Sequence, residues 1–349
     1  MITIETLLAQ AIDQEASDLH LTQKAPPILR IDGDLEMLDL PPMTADDMKQ
    51  LIYSFLSDEQ KRIFEQKWEL DLSLEYAGIG RFRVNIHKQR GAIEGAFRVV
   101  HEDIKELRQL GIPPVAEEIA RRHNGLILVT GPTGSGKTTT LAAMIQQINN
   151  EQRRMIITVE DPIEYIHKNR KSIVKQREVT CDTHSFGDAL RHVLRQDPDV
   201  VVIGEMRDLE TISTALTAAE TGHLVLATLH TPDAIGTVDR IIDVFPPHQQ
   251  QQVRIQFANT IRAIIAQQLL PIPGQRGRVP AVEIMIANVA ARNIIRNAKT
   301  EQLYTLLQTN YDIGMTTMDK SLKTLYQKGL ISYDDAISRS KFPEAFGSV

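Results

Sequence analysis

The 349 residues are enough for two ordinary domains, and 42% hydrophobic with 24% charged residues is the composition of a soluble globular protein. The 39 basic and 45 acidic residues leave a net charge of −6, so no overall basic field invites nucleic acid, and 5% aromatic residues offer no base-stacking platform. A single cysteine, Cys181, excludes an internal disulfide framework and a cysteine-rich zinc site, and it suits a reducing compartment.

"MITIETLLAQAIDQEASDLH" has no basic n-region and carries acids, so it is not read as a signal peptide. No window approaches about 18 uninterrupted apolar residues, and a cytoplasmic protein is expected. Residues 3–15 predict a helix, with Ile4, Leu7, Leu8 and Ala11 at helical spacing. Alternation in "PPILRIDGDLEML" around Asp32 and Gly33 predicts a hairpin over 26–38. One helix is expected over 46–66, followed by strands with Gly-containing turns over 68–100. The first 100 residues thus read as a small α+β domain. Gly111 and the pair Pro113 and Pro114 stop any helix and mark a linker.

From residue 126 the pattern changes. "LILVTG", "RMIITVED", "DVVVIGE" and "HLVLATLH" are short apolar runs separated by helical stretches, which predicts a parallel sheet with covering helices, an α/β domain. After residue 250 the chain reads as mostly helical, "IRAIIAQQLL" included.

"GPTGSGKTTT" follows one of those strands and opens a helix, with Gly131, Gly136, Lys137 and Thr138 at the fixed P-loop positions. Gly131, Pro132, Thr133, Gly134, Ser135 and Gly136 form a loop whose N–H groups can wrap a β-phosphate at a helix N-terminus. Lys137 can reach the β and γ phosphates, the Thr138 hydroxyl can ligate Mg²⁺, and Thr139 continues the helix start. A nucleoside triphosphate is the expected ligand.

Two acidic strand ends follow. "EDPIEY" brings Glu160, Asp161 and Glu164, with Pro162 fixing the turn; the composition suits a plain turn as well as a metal site. "VVIGEMRD" ends in Glu205 with Arg207 just behind. Glu205 is either a solvated strand-end acid or a group that holds Mg²⁺ through water or orients the attacking water. Gly204 leaves room for the metal's hydration shell. In "TGHLVLATLHT", His223 and His230 bracket a strand; both can be hydrogen-bonded support, or His230 can sense the γ-phosphate while His223 organises the fold or a subunit contact. Neither has the companions of a zinc site.

These motifs stand in the order found in the secretion and pilus motor ATPases. The chain closely resembles that superfamily, and within it the retraction ATPases of type IV pili. The P-loop, "ITVEDPIEY", "DPDVVVIGEMRDLETISTALTAAETGH" and "TGHLVLATLHT" carry the likeness, with "ASDLHL", "RIDGDL", "RFRVNI", "FPPHQQQQVRIQFANTIRAIIAQQLLP" and "GMTTMDKSLKTLYQKGLIS" extending it. The resemblance implies a PAS-like α+β domain over 1–100, a linker over 101–114 and a RecA-like P-loop ATPase domain over 115–349, helical from about 285. It implies a Mg²⁺-dependent ATPase in a homohexameric ring, with Glu205 as catalytic glutamate, Glu160 assisting or holding the metal shell, and Lys137 carrying charge. His230 belongs to the same catalytic set. Arg81, Arg83 and Arg98 would enter a neighbour's site, while His223, Asp161, Glu164 and Arg207 would serve structure or interface. The implied partner is an inner-membrane pilus platform protein (PilC-like), reached from the cytoplasmic face, with a PilU-like ATPase as a further partner. No nucleic acid is expected.

One segment departs from the family. Retraction ATPases carry A-I-R-N-L-I-R-E where residues 290–297 read "AARNIIRN", so Ala291, Ile294 and Asn297 differ. The same chemistry serves pilus assembly and type II secretion motors, but those usually add an N-terminal domain and a four-cysteine zinc subdomain. An accessory retraction ATPase, a nucleic-acid translocase and a non-hydrolysing nucleotide sensor compete with the retraction motor as readings of the same P-loop.

Overall fold

Alternating sequence folds here as an antiparallel sheet, and continuous apolar runs fold as a parallel one, each in its own unit. A computed structural model describes residues 2–31, 33–100, 103–275 and 277–346. It divides into Met1–Glu102 with Glu164–Ile166, and Asp103–Ile163 with His167–Val349.

In the first unit, Thr3 accepts the N–H of Thr6 and opens α1 (Ile4–Asp13), which buries Ile4, Leu7, Leu8 and Ala11. Strands β1 (Asp18–Leu21), β2 (Ile28–Ile31) and β3 (Asp34–Met37) follow. In the predicted hairpin, β2 pairs antiparallel with β3; Asp32 lies outside the described residues, and Gly33 has φ of 100°. The single helix expected over 46–66 is two, α2 (Ala45–Phe55) and α3 (Asp58–Lys67). Ser57 and Gln60 exchange side-chain and backbone hydrogen bonds as a capping box, which restarts the helix after an extended Leu56. Local capping overrides the apolar periodicity there. Strands β4 (Glu69–Tyr76), β5 (Gly80–Gln89) and β6 (Ala92–Val100) complete a sheet of order β3-β2-β1-β6-β5-β4, antiparallel throughout. Leu19, Leu29, Phe82, Val84, Ile86 and Phe97 are buried in its core.

The second unit runs α4 (Val115–Ala120), β7 (Gly125–Thr130), α5 (Lys137–Glu151), β8 (Met155–Glu160), β9 (Ile173–Glu178), α6 (Phe186–Val193) and β10 (Val200–Ile203). It continues through α7 (Leu209–Glu220), β11 (Leu224–Leu229), α8 (Ala234–Asp243), α9 (Pro247–Thr260), β12 (Ile261–Pro271) and β13 (Arg278–Ile286). Helices α10 (Val289–Arg296), α11 (Leu303–Thr309), α12 (Met318–Gln327) and α13 (Tyr333–Arg339) close it. Its sheet has the order β13-β12-β7-β11-β10-β8-β9, parallel except for β13. Every residue of β7 and β11 is buried, because helices cover both faces.

"IRAIIAQQLL" is not helical but is β12, hydrogen-bonded between β7 and β13. Ile261 and Ala263 to Ala266 are buried, and an apolar run of that length suits either a buried strand or a buried helix. The polar run "IVKQRE" forms the edge strand β9, whose mixed composition hid it. Within the stretch expected as a linker, Leu107 and Ile112 are buried in the second unit's core. Among the described residues no helix is long and apolar enough to cross a membrane.

Candidate active site

Parallel strands end at one edge of their sheet, and the candidate residues of the second unit gather there. Leu229 of β11 pairs with Thr130 of β7, and Ile203 of β10 pairs with Val159 of β8. That register sets Gly131, His230, Gly204 and Glu160 side by side at the strand ends.

Between β7 and α5 the loop turns through Gly131, Gly134 and Gly136, with φ of 142°, 76° and 84°. These values favour glycine. Gly136 caps α5 without a side-chain hydrogen bond, so the first-turn N–H groups face the loop's hollow. Lys137 is buried and its Nζ donates to the carbonyls of Gly131 (2.8 Å) and Pro132 (2.9 Å), which draws the ammonium back over the loop. Thr138 and Thr139 follow in the first turn of α5. Sequence reasoning missed a further support. The Gln267 amide of β12 donates to the Ser135 carbonyl at 2.5 Å and accepts from the Thr140 hydroxyl at 2.9 Å. A glutamine within an otherwise apolar run was the available signal.

Beyond β10, Gly204 brings two backbones together: a Cβ there would lie 3.2 Å from the Glu160 Cα and 3.3 Å from the Val159 carbonyl. The Gly204 N–H donates to that carbonyl at 2.8 Å, and the Thr228 hydroxyl donates to the Gly204 carbonyl. Thus held, the Glu205 carboxylate takes the Arg207 Nε and Nη2, at 2.6 and 2.7 Å, and the His230 Nε2 at 3.0 Å. Burial opposes its ionisation, but the Arg207 hydrogen bond and the charges of His230 and Arg207 outweigh that and hold the carboxyl below the usual range. Arg207 is raised in turn, by its hydrogen bond to Glu205. Glu160 is oriented by the Thr158 hydroxyl at 2.6 Å and the Gln176 amide at 3.0 Å.

The remaining candidates divide. Asp161 continues from Glu160 into a cis peptide bond with Pro162, whereas Glu164 belongs to the residues that group with the first unit. His223 sits at the opposite edge; its Nδ1 lies 3.0 Å from the Ala218 carbonyl and 3.1 Å from the Thr221 hydroxyl, closing the end of α7. Arg81 and Arg83 of β5 and Arg98 of β6 share one face of the first unit's sheet, with Arg83 directly opposite Arg98. Arg98 pairs with Asp18 at 2.9 Å. Elsewhere in the second unit, buried Glu283 of β13 accepts the N–H of Ala234, which starts α8 (2.9 Å), and of Met318, which starts α12 (3.3 Å). Burial pushes its carboxyl up.

A glycine turn from a parallel strand into a 15-residue helix, with its lysine drawn inward, is the phosphate-binding construction of the P-loop nucleotide-binding domains. The oxygens of Thr138, Glu160 and Glu205 are hard donors that fit Mg²⁺ better than a soft metal.

The chain belongs to the family described as Type II/IV secretion system protein, whose profile matches residues 1–337. It is 47% identical over 343 residues to the "Type IV pilus retractation ATPase PilT" of Pseudomonas aeruginosa, covering 98% of this chain and 99% of that one. It is 46% identical over 319 residues to the "Twitching motility protein" of Neisseria gonorrhoeae, covering 91% and 85%. A solved structure of "the Pilus Retraction Motor PilT and Bound ADP" superimposes with a TM-score of 0.92 at 49% identity, covering 99% of both chains.

Proposed function

We propose that this protein is a Mg²⁺-dependent ATPase that drives retraction of type IV pili. It works as a homohexamer at the cytoplasmic face of the inner membrane and turns a pilus platform protein. The first unit is its PAS-like domain and the second its RecA-like ATPase domain. The observation that carries this reading is the shared edge, where the P-loop, Glu160, Glu205 and His230 meet in a chain that matches a named retraction ATPase from end to end.

The P-loop N–H groups and Lys137 hold the phosphates of ATP. Thr138 with the acids at this edge would hold Mg²⁺, which when bound would supply positive charge against the phosphates. Glu205, kept ionised by Arg207 and His230, orients the attacking water and takes its proton. Glu160 would support the shell of a bound metal, and His230 links Glu205 to the γ-phosphate. Arg81, Arg83 and Arg98 of a neighbouring subunit stabilise the transition-state charge and tie turnover to subunit motion. The departure at Asn297 fits a working helix: its amide donates to the Asn293 carbonyl at 2.9 Å and caps α10.

Counting surface pili by electron microscopy in a host deleted for the gene tests the direction of work. Excess pili with twitching lost is the expected result. Bald cells would overturn retraction in favour of assembly, whereas DNA-stimulated ATPase activity of the purified protein would point to a nucleic-acid translocase.

A further inference from the structure

Gly131 and Gly136 serve a second contact besides the phosphate hollow. A Cβ on Gly131 would meet the Gln267 carbonyl at 2.2 Å, and one on Gly136 would meet the Gln267 Nε2 at 3.0 Å. Both ends of the loop are therefore laid directly against one residue of β12. Gln267 is 1% exposed, so both polar atoms of its amide need partners within the protein. The Ser135 carbonyl can only accept, which fixes the amide nitrogen toward the loop and leaves Oε1 for the Thr140 hydroxyl. One side chain thus bridges the residue before Gly136 and the first turn of α5. Those two points set where the loop's N–H groups aim.

We propose that Gln267 is a positioning residue for nucleotide binding: its amide holds the phosphate loop in the shape that admits a nucleoside polyphosphate. This rests on reading the P-loop as the ATP site, and it adds a residue from a strand outside the loop motif. Without the amide, the Ser135 carbonyl and Thr140 hydroxyl lose their buried partner, and the loop must be ordered by the ligand itself. Affinity for ADP and ATP then falls, while the geometry at Glu205 is untouched.

The test uses the full chain, with ADP binding by titration calorimetry and steady-state ATPase kinetics. Gln267→Met is expected to raise the ADP Kd and ATP KM roughly tenfold with kcat within about twofold. Gln267→Glu keeps the acceptor for Thr140 but, when ionised, cannot donate to Ser135. Its KM is expected to rise roughly 100-fold at about pH 8 and to recover several-fold at about pH 6, where the buried carboxyl regains a proton. Thr140→Val, nearly isosteric, is expected to raise Kd roughly threefold. Wild-type Kd in Gln267→Met, or a loss of kcat at unchanged KM, would overturn the proposal. If Gln267→Met does not melt cooperatively, Gln267→Glu and Thr140→Val decide, and wild-type affinity in both rejects it. A wild-type protein that binds ADP but retracts no pili removes the motor reading and leaves Gln267 standing; one that binds no ADP removes both.

Discussion

In β5 of the first unit, Phe82, Val84 and Ile86 are buried while Arg81, Arg83 and Asn85 between them are only half-buried; in β7 and β11 of the second, every residue is buried. A strand with one free face can carry charged groups along its length. β7 and β11, covered on both faces, leave room for them only at their ends. The second unit therefore gathers Glu160, Glu205 and His230 at strand termini, fixed by register, whereas the first spreads its arginines over a surface. Chemistry that needs positions set to a fraction of an ångström belongs in the former, and charge that must meet another surface belongs in the latter.

The largest effect is expected of Glu205→Gln. On the proposed role of Glu205 as base, turnover is expected to fall about 10³-fold with ADP binding retained. Retained turnover would make Glu205 a structural acid and would leave the protein a nucleotide sensor. Next in size come the arginines of the open face. On their proposed role in a neighbour's site, replacing Arg83 or Arg98 by Ala is expected to lower turnover roughly 10- to 100-fold. Asp18→Asn separates the two roles of Arg98: it removes the ion pair but leaves the guanidinium, so turnover should stay within about twofold. A loss equal to that of Arg98→Ala would assign the arginine to the sheet rather than to catalysis.

The smallest effect concerns acidity. With Arg207 in place the Glu205 carboxyl titrates below the ordinary glutamate value of 4.5. Arg207→Ala removes the hydrogen bond and the charge of Arg207, so burial is opposed by His230 alone and the carboxyl rises and is protonated at higher pH. The acid limb of the variant's kcat profile should move up, so its turnover falls first at the acid end of the profile. An unmoved limb would show that Arg207 does not set the charge state of Glu205.

Much of the site could be read before the fold was seen, because its residues lie in short contiguous motifs attached to strongly patterned strands. Lys137 could be placed at a helix start and Glu205 at a strand end from local sequence alone. What stayed hidden was held by partners far along the chain. Gln267 reaches the P-loop across a parallel pairing of β12 with β7, and β12 itself is ambiguous in sequence because buried strand and buried helix look alike in an apolar run. The grip of Arg207 on Glu205 was equally invisible, since two residues apart in sequence says nothing about which way a side chain turns after a strand.

Glu283 joins the start of α8, just past the His230 loop, to the start of α12 among the last helices of the chain. A carboxylate shared by two helix ends behaves mechanically as a rivet: neither helix can slide or tilt alone without stripping a buried oxygen of its partner. A load applied to the terminal helices therefore arrives at the loop beside Glu205 as displacement rather than being absorbed as slack. The amides of Ala234 and Met318 should accordingly exchange with solvent on the timescale of the whole unit's opening, not of its surface helices.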